Sequence, residues 1–144
     1  MISKTAEYAL RAMVALRGQG PREKVLNRDL SALTKIPQNY LSKIMHALGR
    51  AGLVVSERGP NGGFRLRRNA GAITAFQIVS LFEDLDSHRR CLLGEEDCSD
   101  STACPAREGW KDVRDAYERY LKETTLDILS PDLARAPPAG KKKE

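Results

Sequence analysis

The sequence predicts a mainly α chain with a small β-wing. Three observations carry that expectation. Apolar residues recur at helical spacing in five stretches. A single pair of short runs, flanking a glycine-rich turn, reads as strands. The longest amphipathic stretch lies near the C-terminal end.

Residues 5–17 read as a helix because Ala6, Ala9, Leu10, Met13 and Leu16 share one face. Gly18, Gly20 and Pro21 stop it. Asn27 stands where an N-cap is expected, and Leu30 and Leu33 give a short second helix ending near Thr34. After the Lys35-Ile36 turn, Pro37 is expected at the first position of a third helix, where its missing N–H leaves nothing unpaired. That helix runs to about Arg50, with Gly52 as its stop. Residues 53–57 and 64–68 read as strands. Between them Arg58-Gly59-Pro60-Asn61-Gly62-Gly63 is a turn dense in residues that tolerate positive φ.

Thr74 and Gln77 form a capping-box signature for a fourth helix, with Ile78, Leu81, Phe82 and Leu85 on one face. Residues 86–109 show no period and read as a loop. Trp110, Val113, Tyr117, Leu121 and Thr124 then mark a helix of roughly 16 residues, ~24 Å at the usual rise. Beyond Pro131 the Pro-, Ala- and Lys-rich tail is expected to be disordered.

The 144 residues carry 24 Lys+Arg and 19 Asp+Glu, a net charge of +5. The balance is uneven. Up to Thr74 there are 13 basic and 4 acidic residues, and from Ala75 onward 11 and 15. A basic half joined to an acidic one points to a polyanion-binding head and a body with another task. At 41% hydrophobic the chain can bury one modest core or two small ones, and composition excludes collagen-like, mucin-like and wholly disordered classes. No apolar run approaches the ~18–20 residues that span a bilayer. Glu7 and Arg11 precede any long apolar stretch, so no secretory signal is expected and a cytoplasmic, reducing setting follows. Cys91, Cys98 and Cys104 are then not a disulfide framework.

Short helices joined by a tight turn and followed by a β-hairpin make a winged helix-turn-helix pattern. The third helix carries an apolar stripe of Leu41, Ile44, Leu48 and Ala51. Opposite it lies a polar stripe of Asn39, Ser42, Lys43, His46 and Arg50, with Gln38 and Tyr40 at the same end. Asn39 and Ser42 suit base edges in a major groove, whereas Lys43 and Arg50 suit phosphates. Arg58, with Asn61 and Gly62 in the slim tip, is placed to probe a minor groove, and Arg65 and Arg67 alternate outward on the return strand, placing two more charges towards a DNA backbone. Any surface helix has a polar face; the ordered combination on a basic half is what points to double-stranded DNA.

Several strings then stand together: Ala6-Glu7-Tyr8-Ala9-Leu10-Arg11, Tyr40-Leu41, Ala51-Gly52-Leu53-Val54, the wing through Phe64, and three cysteines ending in Cys104-Pro105 before Trp110. Over about residues 1–130 they closely resemble the IscR/NsrR type (Rrf family) of bacterial transcriptional regulators. The resemblance implies a homodimer in which the long C-terminal helix pairs with its twin. It implies two recognition helices on a pseudo-palindromic operator, with repression the expected sense. Residues 1–74 would form the DNA-binding domain, 75–109 a connecting helix and cysteine sensing loop, 110–129 a dimerisation helix and 130–144 a tail. By the resemblance Asn39 and Ser42 match base-reading positions and Arg58 matches the wing arginine.

The three cysteines, separated by six and five residues, can gather around one soft metal centre. The resemblance implies an iron–sulfur cluster, [2Fe–2S] or [4Fe–4S]. The place of a histidine ligand used by some members is taken by Arg107, and Arg11 replaces a histidine used by another branch. An acidic ligand given from the first helix of the partner subunit maps onto Glu7, which otherwise reads as an exposed helix carboxylate. The first cysteine spacer is one residue longer than the common cluster-binding pattern, so thiol oxidation without a cluster stays open. Arg89 and Arg90 set positive charge beside Cys91, which favours either chemistry. His88 and the acidic Glu95, Glu96, Asp97 and Asp100 read as solvated loop residues, and Trp110, Tyr117 and Leu121 as a core or dimer stripe. A winged helix used only as a protein-interaction module is the reading from another class. No nucleophile–base–acid set or phosphate loop points to an enzyme or a small-molecule substrate.

Overall fold

The computed structural model describes residues 2–20, 22–60, 62–85, 91–93 and 104–130. Ser3 starts the first helix: its hydroxyl accepts the Ala6 N–H at 3.1 Å. Helix α1 (Lys4–Gly18) then leads through a loop to α2 (Asn27–Thr34) and α3 (Gln38–Arg50). Lys35, in the left-handed region at φ 58°, turns the chain between α2 and α3. Strands β1 (Val54–Glu57) and β2 (Gly63–Leu66) pair antiparallel, Val54 opposite Leu66 and Glu57 opposite Gly63. A 3-10 turn over Ala70–Ala72 precedes α4 (Ala75–Val79), and α5 (Arg107–Glu123) and α6 (Leu126–Leu129) follow.

Packing is organised around α1. Its residues Ala9, Ala12, Met13 and Leu16 are wholly buried against Leu30, Ile36, Leu41, Ile44, Met45 and Leu48 of the helix-turn-helix and against Leu53, Val54, Phe64 and Leu66 of the wing. On another side of the same helix, Ala6 is buried in a smaller cluster with Ala75, Val79 and Leu121. The alanines let neighbouring helices approach closely, and burying a full Leu or Met side chain stabilises by ~1.5–3 kcal/mol. Burial pushes the Tyr117 hydroxyl pKa up, with the Glu83 carboxylate adding to the effect. No helix among the described residues is long and apolar enough to cross a membrane.

The helical architecture with a two-strand wing matches the expectation from sequence; several boundaries do not. Asn27 is the first residue of α2 rather than its cap, and its side chain instead donates to the Gln38 carbonyl at 3.2 Å, tying α2 to the start of α3. Pro37 sits one residue before α3, where its carbonyl accepts from Leu41. The Thr74–Gln77 capping box is present in both directions, at 3.0 and 3.2 Å. Helix α4 nevertheless stops at Val79. The ladder tightens to three-residue bonds, Leu81 to Ile78 and Phe82 to Val79, leaving Leu81 41% exposed rather than on a buried face.

The stretch expected as one helix over 110–129 is two. Helix α5 begins earlier, at Arg107, and ends at Glu123. Thr124 and Thr125 are extended, and an isolated bridge pairs Thr125 with Thr74. Ala75 donates to the Thr124 carbonyl at 2.7 Å and Leu126 to the Ile73 carbonyl at 3.0 Å. Two β-branched residues in sequence favour that extended conformation over helix. The expected tail, Asn61, His88, Arg89, Arg90, Cys98 and the acidic residues 95–97 and 100 lie outside the described residues.

Thr74→Ala removes one half of the capping box while leaving the backbone bridge to Thr125 intact. It should lower stability by ~1 kcal/mol in urea denaturation and speed hydrogen exchange at Gln77; an unchanged midpoint would show that the box contributes nothing.

Candidate nucleic-acid interface

Helix α3 has two faces of opposite character. Leu41, Ile44, Met45 and Leu48 are buried, and Gln38, Asn39, Ser42, Lys43, His46 and Arg50 are exposed. The expected reading residues therefore stand together on one solvent-facing side. Tyr40, named with them, is 42% exposed but turned to a second task. Its hydroxyl lies 2.6 Å from Thr5 Oγ1, and its ring meets Tyr8 edge-on at 5.5 Å. This contact braces the N-terminal end of α3 against α1. Neither Thr5 nor Tyr8 carries any sign of that role in the sequence.

The wing is held from behind by the loop before α2. Val25 and Phe64 exchange two backbone hydrogen bonds, both 2.8 Å, so Val25 extends the two-stranded sheet. Gly63 permits this approach: its φ is +137°, and a Cβ there would lie 2.7 Å from the Val25 carbonyl oxygen. Gly62 is buried under the tip, where a Cβ would lie 2.8 Å from the Gly59 oxygen. Charges are sorted along the same element. Lys24 ion-pairs with Glu57 and, by that hydrogen bond, holds its carboxyl below the usual carboxylate range; Arg65 adds a weaker contact at 3.8 Å. Arg58 is exposed and makes no ion pair among the described residues. Arg67 is exposed as expected, and Arg65 is half-buried.

Of the expected thiols, Cys91 and Cys104 are half-buried and unbridged, and Cys98 lies outside the described residues. Cys91 Sγ accepts the Leu93 N–H at 3.4 Å. Cys104 stands just ahead of α5, its carbonyl accepting from Arg107 at 3.2 Å. Glu7 is in the first turn of α1, with its side chain 41% exposed and Lys4 and Arg11 at 3.4 and 3.7 Å. Arg11 is also stacked over Tyr8 and bonded to the Thr34 carbonyl. Sulfur and carboxylate are donor types that suit iron, and among the described residues no three His, Cys, Asp or Glu side chains are brought together to hold a metal.

Gly63→Ala should lower stability by ~1–3 kcal/mol, since the new side chain is strained and meets backbone. Hydrogen exchange at Val25 and Phe64 checks the cause: protection there should fall first, and retained protection would mean that the wing tolerates the methyl group.

Comparison with known proteins agrees with this geometry. The family Rrf2, described as "Iron-dependent Transcriptional regulator", matches residues 2–132. The chain is 34% identical over 131 residues to the HTH-type transcriptional regulator IscR of Pectobacterium atrosepticum, covering 89% of this chain and 77% of that protein. Among solved structures it is similar to CymR (YrzC), the global cysteine regulator of B. subtilis, with TM-score 0.76 and 28% identity over 90% of this chain and 95% of that one. It shares its fold with T. potens IscR, with TM-score 0.71 and 22% identity over 90% and 85% of the two chains. These relatives are regulators of transcription, not enzymes, and the chain belongs to the Rrf2 family of transcriptional regulators.

Proposed function

We propose that this chain acts as a homodimeric regulator that binds a pseudo-palindromic operator, with its affinity set by an iron–sulfur cluster on the cysteine segment. The observation that carries the DNA part is the exposed row Asn39, Ser42, Lys43, His46 and Arg50 on α3, with Arg58 of the wing exposed and in no ion pair among the described residues. A row of this chemistry suits base edges and phosphates of the major groove, and a lone arginine on a slim tip suits the minor groove. Dimerisation is supported by α5, which leaves Val113 and Tyr120 exposed at 52% and 60%, and by Ile128 of α6, exposed at 62%. Residues 113 and 120, seven apart, share one helix face, the spacing of a helix–helix seam.

Asn39→Ala or Arg58→Ala should weaken binding to the specific operator by ~1–3 kcal/mol while leaving nonspecific binding nearly unchanged. Fluorescence anisotropy at fixed salt measures both. Equal losses on specific and random duplexes would remove these residues from base and groove reading.

On this reading Cys91, Cys98 and Cys104 hold the cluster, with Glu7 of the partner subunit as the fourth donor. A bound cluster supplies a centre responsive to iron supply and oxidants. The chain contributes the thiolates, the Leu93 N–H at Cys91, and a carboxylate accessible from outside its own subunit. The free thiols of Cys91 and Cys104 favour a second reading, a switch by thiol oxidation with no cluster. Anaerobic purification separates the two. The cluster reading expects visible absorbance with stoichiometric iron and sulfide, lost in large part from Glu7→Ala. Unchanged loading in that variant excludes Glu7 as a ligand, and a colourless wild-type protein leaves the thiol switch.

A further inference from the structure

At the root of the wing, behind its tip, is a cleft of about 610 Å³. Five arginines line it: Arg17 from the end of α1, Arg22 from the following loop, and Arg65, Arg67 and Arg68 from β2 and the segment after it. The carboxylate in its lining is Asp127 of α6, and Arg17 engages it with Nε and Nη2 at 3.2 and 3.1 Å. Arg65 is partly neutralised by Glu57 at 3.8 Å. Arg22, Arg67 and Arg68 are exposed and make no ion pair among the described residues.

We propose that this cleft binds a small molecule carrying two or more phosphate groups, held by Arg22, Arg67 and Arg68. Guanidinium groups pair with phosphate oxygens in a two-pronged geometry, and like charges gathered from separate stretches of chain repel one another until an anion joins them. The volume lies in the usual ~300–1,000 Å³ range of small-molecule sites. Position argues for a free ligand over the DNA backbone. The four steps from Gly63 to Arg67 span about 13 Å of extended chain at ~3.3 Å per residue. An anion held at Arg67 and Arg68 therefore sits well behind the tip, and the duplex arm of the test below separates a free ligand from the DNA backbone. Through Arg17 and Asp127 the cleft also joins the DNA-binding head to α6, so an occupant touches both halves. The inference is independent of what the cysteines bind.

The test is calorimetric titration of the full chain with sodium tripolyphosphate, and separately with ATP, at constant ionic strength, with and without saturating operator duplex. Saturable binding is expected, weakened at least tenfold by Arg22→Ala and by Arg68→Ala, unchanged by the exposed control Arg28→Ala, and retained in the presence of the duplex. Unchanged denaturation midpoints certify that the exposed substitutions leave the fold intact. Absence of saturable binding, or equal binding by wild type and both variants, overturns the proposal. Displacement of tripolyphosphate by the duplex, with matching loss of operator affinity in the variants, also overturns it and assigns the cleft to the DNA surface. If wild type binds tripolyphosphate but no duplex at all, the cleft stands and the operator reading fails.

Discussion

The burial of α1 on two sides is the constraint on which the rest of the structure depends. Ala9, Ala12, Met13 and Leu16 close the core under the helix-turn-helix and wing, while Ala6 closes the cluster formed with α4 and α5. One helix thus belongs to both halves of the chain. Its small residues fix how near the neighbours come, because close-packed interiors respond even to a single added methylene. The helix-turn-helix and wing on one side, and α4 with Leu121 of α5 on the other, are set against this common element. Tyr40 adds a polar and aromatic clasp from α1 to the entry of α3.

Electrostatics divides the labour further. On the wing, the Glu57 carboxylate pairs with Lys24 and Arg65, cations behind the tip, and Arg58 makes no ion pair among the described residues. Salt bridges as exposed as these contribute little to stability. Their effect is to determine which cations remain available for an anionic partner. The same sorting leaves Arg22, Arg67 and Arg68 without an ion pair among the described residues at the wing root, with Arg17 fixed to Asp127.

What was legible in the sequence was whatever local chemistry decides. The two stripes of α3, the reciprocal box of Thr74 and Gln77 and the glycine-rich wing tip each follow from residues within a few positions of one another. What was not legible depends on distant partners. The break after Glu123 comes with the pairing of Thr125 to Thr74, fifty-one positions away in the chain, and no periodicity announces such a bridge. Asn27 reads as a cap until the Gln38 carbonyl is brought beside it. The arginine cleft is invisible for the same reason, since Arg17, Arg22 and Arg68 become neighbours only when α1, its loop and the wing assemble. The early end of α4 is a local event, yet an apolar period continuing to Leu85 masks it.

The bridge between Thr74 and Thr125 also has a mechanical meaning. It pins one end of α5 to the head, and Leu121 is buried nearby, whereas residues 111–113, 115 and 116 are exposed. The helix therefore runs from this bridge at its C-terminal end to Cys104 ahead of its N-terminal end, with Tyr117 packed on α4 between them. Seventeen residues rise ~26 Å. Over such a length, a tilt of about 5° at the bridge corresponds to roughly 2 Å at the cysteine end. On the proposed function, change at the cysteines and rotation of the helix at the bridge are coupled in that ratio, an ångström or two for a few degrees.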